Sequence, residues 1–182
     1  MKGHQEALRL LEEADLICDA ECVQREVSRM AGEITKRLSG EFPVILSVMG
    51  GAAIFTGQLL PQLAFPLEFG AIEVTRYNND IQGREITWRL PPRDNVRGRT
   101  VLVVDDILDE GITLAAIQQT LIKMGAVKVY SAVFADKDLG REKPVKADFV
   151  GVTVPNRYVF GFGMDAYGLW RNLPAIYALK DK

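Results

Sequence analysis

The chain has 182 residues, 48% hydrophobic and 25% charged, with a formal net charge of −2 at pH 7 and a sequence pI near 5.5. That length suits one well-buried core and is short for two, so a single domain over 1–182 is expected, with N-terminal helices over about 5–40 and a core over about 43–182. Mild acidity without any Lys/Arg run argues against nucleic acid or an anionic membrane as a partner, and leaves small molecules.

The start, Met1-Lys-Gly-His-Gln-Glu, turns amphipathic and acidic at once, which is not a secretory signal, so a cytoplasmic location is expected. Gln5 to Ile17 carries an apolar stripe, Leu8 and Leu11 with Leu10 and Ala14 beside it, and predicts an amphipathic helix. Asp19 can cap a second helix with Val23, Val27, Met30, Ile34 and Leu38 at helical spacing, ending at Gly40. Cys18 and Cys22 would make a metal clip only with further ligands, and the sole histidine is His4. They therefore read as reduced, structural cysteines, and the single histidine argues against Ser-His or Cys-His nucleophilic catalysis.

Pro43 to Met49 predicts a buried strand, and Gly50-Gly51 opens a helix from Ala52 to about Leu60. This apolar stretch, Val44 to Phe55, is broken by the glycine pair and too short to span a bilayer. Phe65 to Thr75 contains strand material. Arg76 to Gly83 is a polar, turn-forming insertion before another strand, Glu85 to Leu90.

Val101 to Val104 reads as a strand buried on both faces, because a continuous β-branched run fits a parallel sheet covered by helices. Asp105 and Asp106 follow at its carboxyl end, where ligands bind in open α/β sheets. Gly111 allows torsions closed to other residues, and Thr113 can cap a helix running to about Met124 before Gly125 stops it. Adjacent acids after a buried strand are costly to desolvate unless a cation or sugar hydroxyls lie between them. Beside the anion-attracting helix N-terminus, they suggest a sugar phosphate. The spacing is not that of a Walker loop, which needs Gly-x-x-x-x-Gly-Lys followed by Ser or Thr. Val127 to Ala135 predicts the next buried strand, ending in Asp136-Lys137-Asp138. Charged Leu139 to Lys146 reads as a loop, Asp148 to Val154 as a strand, and Leu173 to Leu179 as a closing edge strand.

The stretch Val101 to Leu114 resembles the phosphoribosyl pyrophosphate motif of the type I phosphoribosyltransferases. Lys137, Tyr158, Val159, Asp165 and Arg171 follow in the order of the 6-oxopurine branch, most like the hypoxanthine-guanine phosphoribosyltransferases. The likeness runs from about Pro43 to the C-terminus. It implies an α/β fold, a mostly parallel twisted sheet flanked by helices, with a small hood and a flexible flap, assembled as a homodimer or homotetramer. It implies purine salvage: transfer of the 5-phosphoribosyl group of 5-phosphoribosyl 1-pyrophosphate to hypoxanthine or guanine. A xanthine-preferring relative is the nearest alternative, and a nucleotide-sensing regulator on the same fold is another.

The resemblance also implies roles. Asp105, Asp106, Asp109, Glu110, Gly111, Ile112 and Thr113 would hold the phosphoribosyl group, and Asp109 would take the purine N7 proton. Met49, Gly50, Gly51 and Arg171 would hold pyrophosphate, on a loop often built with a non-proline cis peptide, here Val48–Met49. Lys137 would donate to the purine O6, Tyr158 would stack on the base, and the Val159 backbone would meet its Watson–Crick edge. Asp165, with Asp105 and Asp106, would hold Mg²⁺, which suits an oxygen-rich site. Arg76 and Tyr77 would form the flap. Three residues depart from the family: Met49 stands where lysine is usual, Arg76 where serine is, and Glu110 where a small hydroxyl residue is common, so the Glu110 side chain must point outward for the cradle to work.

Overall fold

The computed structural model describes residues 3–76 and 86–180. Among them, a six-stranded sheet in the order β4-β3-β2-β5-β6-β7 forms the centre. Its strands are β2 (Val44–Met49), β3 (Glu68–Arg76), β4 (Ile86–Leu90), β5 (Thr100–Leu108), β6 (Lys128–Lys137) and β7 (Phe149–Val154). All neighbours run parallel except β4, which lies antiparallel on β3. The apolar runs explain the arrangement: alternate residues of one strand supply two separate cores. Leu102 and Val104 of β5 join one cluster, together with Ile45 and Phe134. Val101 and Val103 join the other, with Val44 and Val133.

Helices close both faces. Asp19 caps α2 (Ala20–Leu38) by accepting the Cys22 N–H at 2.8 Å, and its stripe Val23, Val27, Met30, Ile34 and Leu38 is buried against the first core. The α3 helix (Ala52–Leu59) packs on that side too, and its Thr56 hydroxyl pairs with the buried Ser47 of β2 at 2.8 Å. Leu114, Ile117 and Leu121 of α4 (Ile112–Lys123) fill the second core.

A three-stranded antiparallel sheet, β1 (Asp15–Cys18), β9 (Ile176–Ala178) and β8 (Val159–Phe160), makes the hood. Phe162 ties it to the core, its ring 4.5 Å from that of Phe134. Here the structure corrects three expectations. The first helix, α1 (His4–Glu12), stops before Ile17, because Asp15 and Leu16 pair with Ala178 and Tyr177 and strand pairing claims that segment. For the same reason the last strand is central rather than an edge, with β1 on one side and β8 on the other. The cysteines are joined: Cys18 ends β1 and Cys22 sits in the first turn of α2, which brings their Cα atoms to 5.6 Å, within disulfide reach.

Two local corrections concern loops at the carboxyl edge. The cis peptide lies at Met49–Gly50 rather than Val48–Met49, and the glycine has no Cβ to crowd the preceding residue where the two Cα atoms approach. Thr113 does not cap α4. Gly111, with φ +80°, is the N-cap, and Thr113 is the second helical residue. Such a left-handed torsion is open to glycine at little cost.

Candidate active site

Three segments converge at the carboxyl end of β2, β5 and β6. The β5 ladder runs through the acid pair to Leu108, so Asp105 and Asp106 belong to the strand itself. The Asp106 N–H donates to Asp105 Oδ1 at 3.0 Å, and the Ile107 N–H donates to Asp106 Oδ1 at 2.9 Å. Backbone closes over Asp106: a Cβ on Gly51 would fall 1.8 Å from its Oδ2, and one on Gly163 would fall 2.1 Å from the Gly51 carbonyl oxygen. Burial pushes the Asp106 carboxyl above the usual aspartate range, opposed by the bond with Asp105, the Ile107 amide and the Arg171 guanidinium.

Asp106, Asp109, Lys137, Tyr158, Val159 and Asp165 line one cavity of about 230 Å³. Residues as far apart in sequence as Asp106 and Asp165 thus meet because β5, β6 and the hood end at the same edge. Lys137 Nζ donates to Asp109 Oδ2 at 2.9 Å, with the lysine side chain 12% and the aspartate 43% exposed. Tyr158 stacks on Tyr167, ring centroids 5.6 Å apart and planes 15° from parallel. Arg171 is held at the rim, donating to the Gly163 carbonyl at 2.6 Å and pairing with Asp165 Oδ1 at 2.5 Å. The other Asp165 oxygen accepts the Gly168 N–H at 2.7 Å.

Below the cavity, Asp109 to Thr113 leads into α4, whose first turn presents backbone N–H groups of the kind that bind phosphate. Glu110 lies 3.5 Å from Arg141, so its carboxylate is drawn to a cation on the neighbouring loop. Met49, Gly50 and Gly51 join β2 to α3, with Met49 39% exposed. Of the expected flap pair, Arg76 ends β3, and Tyr77 lies outside the described residues, as does the insertion to Gly83. Asp106 and Asp165 both bring carboxylate oxygens, the ligand type Mg²⁺ prefers, to this cavity, but among the described residues no cluster of three or more acidic, His or Cys side chains is gathered to hold a metal, so Mg²⁺ here would draw most of its shell from phosphate oxygens and water.

Sequence reasoning passed over Ile107 and Met164, which also line the cavity, and Tyr167 and Lys143. Ile107 carried a signal, lying between two acids already singled out. The others are apolar, aromatic or loop residues of ordinary appearance whose neighbours are set by chain crossings.

A family model described as "Phosphoribosyl transferase domain" matches residues 14–167. The chain is 32% identical over 166 residues to the hypoxanthine-guanine phosphoribosyltransferase of Bacillus subtilis, covering 91% of this chain and 92% of that one. It is 33% identical over 160 residues to the hypoxanthine-guanine-xanthine phosphoribosyltransferase of Tritrichomonas foetus, covering 87% of each. The crystal structure of a hypoxanthine phosphoribosyltransferase from Staphylococcus aureus superposes with a TM-score of 0.86 over 98% of this chain and 97% of that chain. At 24% identity, that last likeness is one of fold.

Proposed function

The chain belongs to the phosphoribosyl transferase family, and from that premise we propose that it is a purine-salvage enzyme: it transfers the 5-phosphoribosyl group of 5-phosphoribosyl 1-pyrophosphate to hypoxanthine or guanine, releasing IMP or GMP and pyrophosphate. The observation that carries this reading is the Lys137–Asp109 pair beside Tyr158 in one cavity. The purine O6 and N7 are neighbours on one edge of the ring, so a donor and a base carried side by side match them.

Each segment then has a task. The first turn of α4, with Gly111, Ile112 and the Thr113 hydroxyl, holds the 5′-phosphate, and Asp105 and Asp106 accept from the ribose hydroxyls. Met49, Gly50, Gly51 and Arg171 hold the pyrophosphate. Asp109 takes the N7 proton as N9 attacks C1′, while Lys137 donates to O6, Tyr158 stacks on the ring and the Val159 backbone reads its far edge. Asp165, Asp105 and Asp106 would hold magnesium, which would supply positive charge to the leaving pyrophosphate.

Residues 1–182 act as one domain, as a homodimer or homotetramer in the cytoplasm. The exposed Phe69 on β3 and Leu90 on β4 offer apolar surface for self-association. The described residues include no helix long and apolar enough to cross a membrane. Product formation with hypoxanthine, guanine, xanthine and adenine, with and without Mg²⁺, tests the reading. Oxopurine turnover that depends on Mg²⁺ is expected. Turnover of adenine matching hypoxanthine would overturn it, and a clear preference for xanthine would move the assignment to that base.

A further inference from the structure

The loop after β6 reads in sequence as solvated charge, yet the Lys143 side chain is only 9% exposed. Its Nζ donates to Asp136 Oδ1 at 2.5 Å and to the Leu108 carbonyl at 2.7 Å. Leu108 and Asp136 are cross-strand partners at the ends of β5 and β6. The residues that follow them are Asp109 and Lys137, which meet at the cavity. Successive strand residues face opposite sides, so Asp136 and Lys137 diverge: one binds Lys143 behind the sheet end, the other binds Asp109 in front. The ammonium is shielded while the Asp136 side chain is 34% exposed, so breaking the pair leaves a desolvated charge on the lysine side. The same loop backs the phosphate segment, because a Cβ on Gly111 would lie 3.3 Å from Pro144 Cδ and from Val145 Cγ1.

We propose that Lys143 is a positioning residue whose ammonium staples the ends of β5 and β6, keeping Asp109 and Lys137 spaced for the N7 and O6 of a single purine. It lines no part of the cavity that holds that pair and acts only through them. The inference rests on the oxopurine reading above.

Its test compares the parent with Lys143→Met, Lys143→Arg and Asp136→Asn, using hypoxanthine and phosphoribosyl pyrophosphate, with calorimetric stoichiometry for phosphoribosyl pyrophosphate counting intact sites. In Lys143→Met, kcat per intact site should fall roughly ten- to a hundredfold, as for a small misplacement of reacting groups. The KM for phosphoribosyl pyrophosphate should stay within about twofold. Lys143→Arg should recover most of the loss. A parental kcat in Lys143→Met overturns the proposal, and so does a kcat loss matched by an equal rise in that KM, which marks a general defect. Where Lys143→Met yields no folded protein, Asp136→Asn decides by the same split. A parent that turns over no oxopurine overturns the functional reading and this inference with it. An active parent with an unaffected Lys143→Met sinks the inference alone.

Discussion

Lys137 Nζ donates to Asp109 Oδ2 across 2.9 Å, so a cation that ends β6 and a carboxylate just beyond the end of the parallel β5 face one another within a single cavity. Their chemistry is complementary to one purine edge, and each can be removed separately without changing side-chain size greatly.

Asp109→Asn keeps the shape and the hydrogen bond to Lys137 but cannot accept the N7 proton. Turnover should fall on the order of a hundredfold or more, with little loss of phosphoribosyl pyrophosphate affinity. Single-turnover kinetics isolates the chemical step, and a parental rate there removes Asp109 from the role of base.

Lys137→Gln replaces an obligate donor with an amide that can donate or accept. Oxopurine use should drop while phosphoribosyl pyrophosphate binding holds, and the gap to adenine should narrow, since a lysine facing an amino group leaves two donors unpaired. Competition between hypoxanthine and adenine reads the ratio directly. An unaltered ratio argues that another group reads position six.

Gly51→Ala places a methyl group where Asp106 Oδ2 already lies, 1.8 Å away, so either the loop or the carboxylate must move. The efficiency with phosphoribosyl pyrophosphate should fall by about a hundredfold, the scale of a 1 Å displacement at a reacting centre. Parental kinetics in this variant would show that the loop and Asp106 need not stay in contact.

Thr113→Val removes a hydroxyl at nearly constant volume from the first turn of α4, the turn proposed to hold the 5′-phosphate. Substrate affinity should weaken by about 1.5–3 kcal/mol, the worth of a hydrogen bond to a charged group. Calorimetry giving equal affinity would place the phosphate elsewhere.

Asp106 makes stability depend on pH. A carboxyl raised in the fold stabilises it only while protonated: that contribution is full below the ordinary aspartate value of about 3.9 and fades as pH climbs through the raised one. Asp106→Asn cannot ionise, so its melting temperature should gain on the parent as pH rises above the ordinary aspartate range. A constant difference between the two melting curves would mean that the carboxyl is not raised.

Local pattern alone determined much of this protein. The β-branched run before Asp105 dictates a strand buried on both faces, the stripe from Val23 to Leu38 dictates a helix, and Asp19 caps it where its short side chain can reach an N–H. These follow from side-chain periodicity and capping, which act over a few residues. The order of Asp109, Lys137, Tyr158 and Asp165 was legible too, through a motif held in short segments. Tertiary structure alone decided the rest. Asp15 to Cys18 is a strand only because the chain returns, some 160 residues later, to pair with it. The same return makes the last strand central. Lys143 looks like surface charge until the loop folds over the strand ends, because solvation, unlike periodicity, is set by which distant segments come to cover a group.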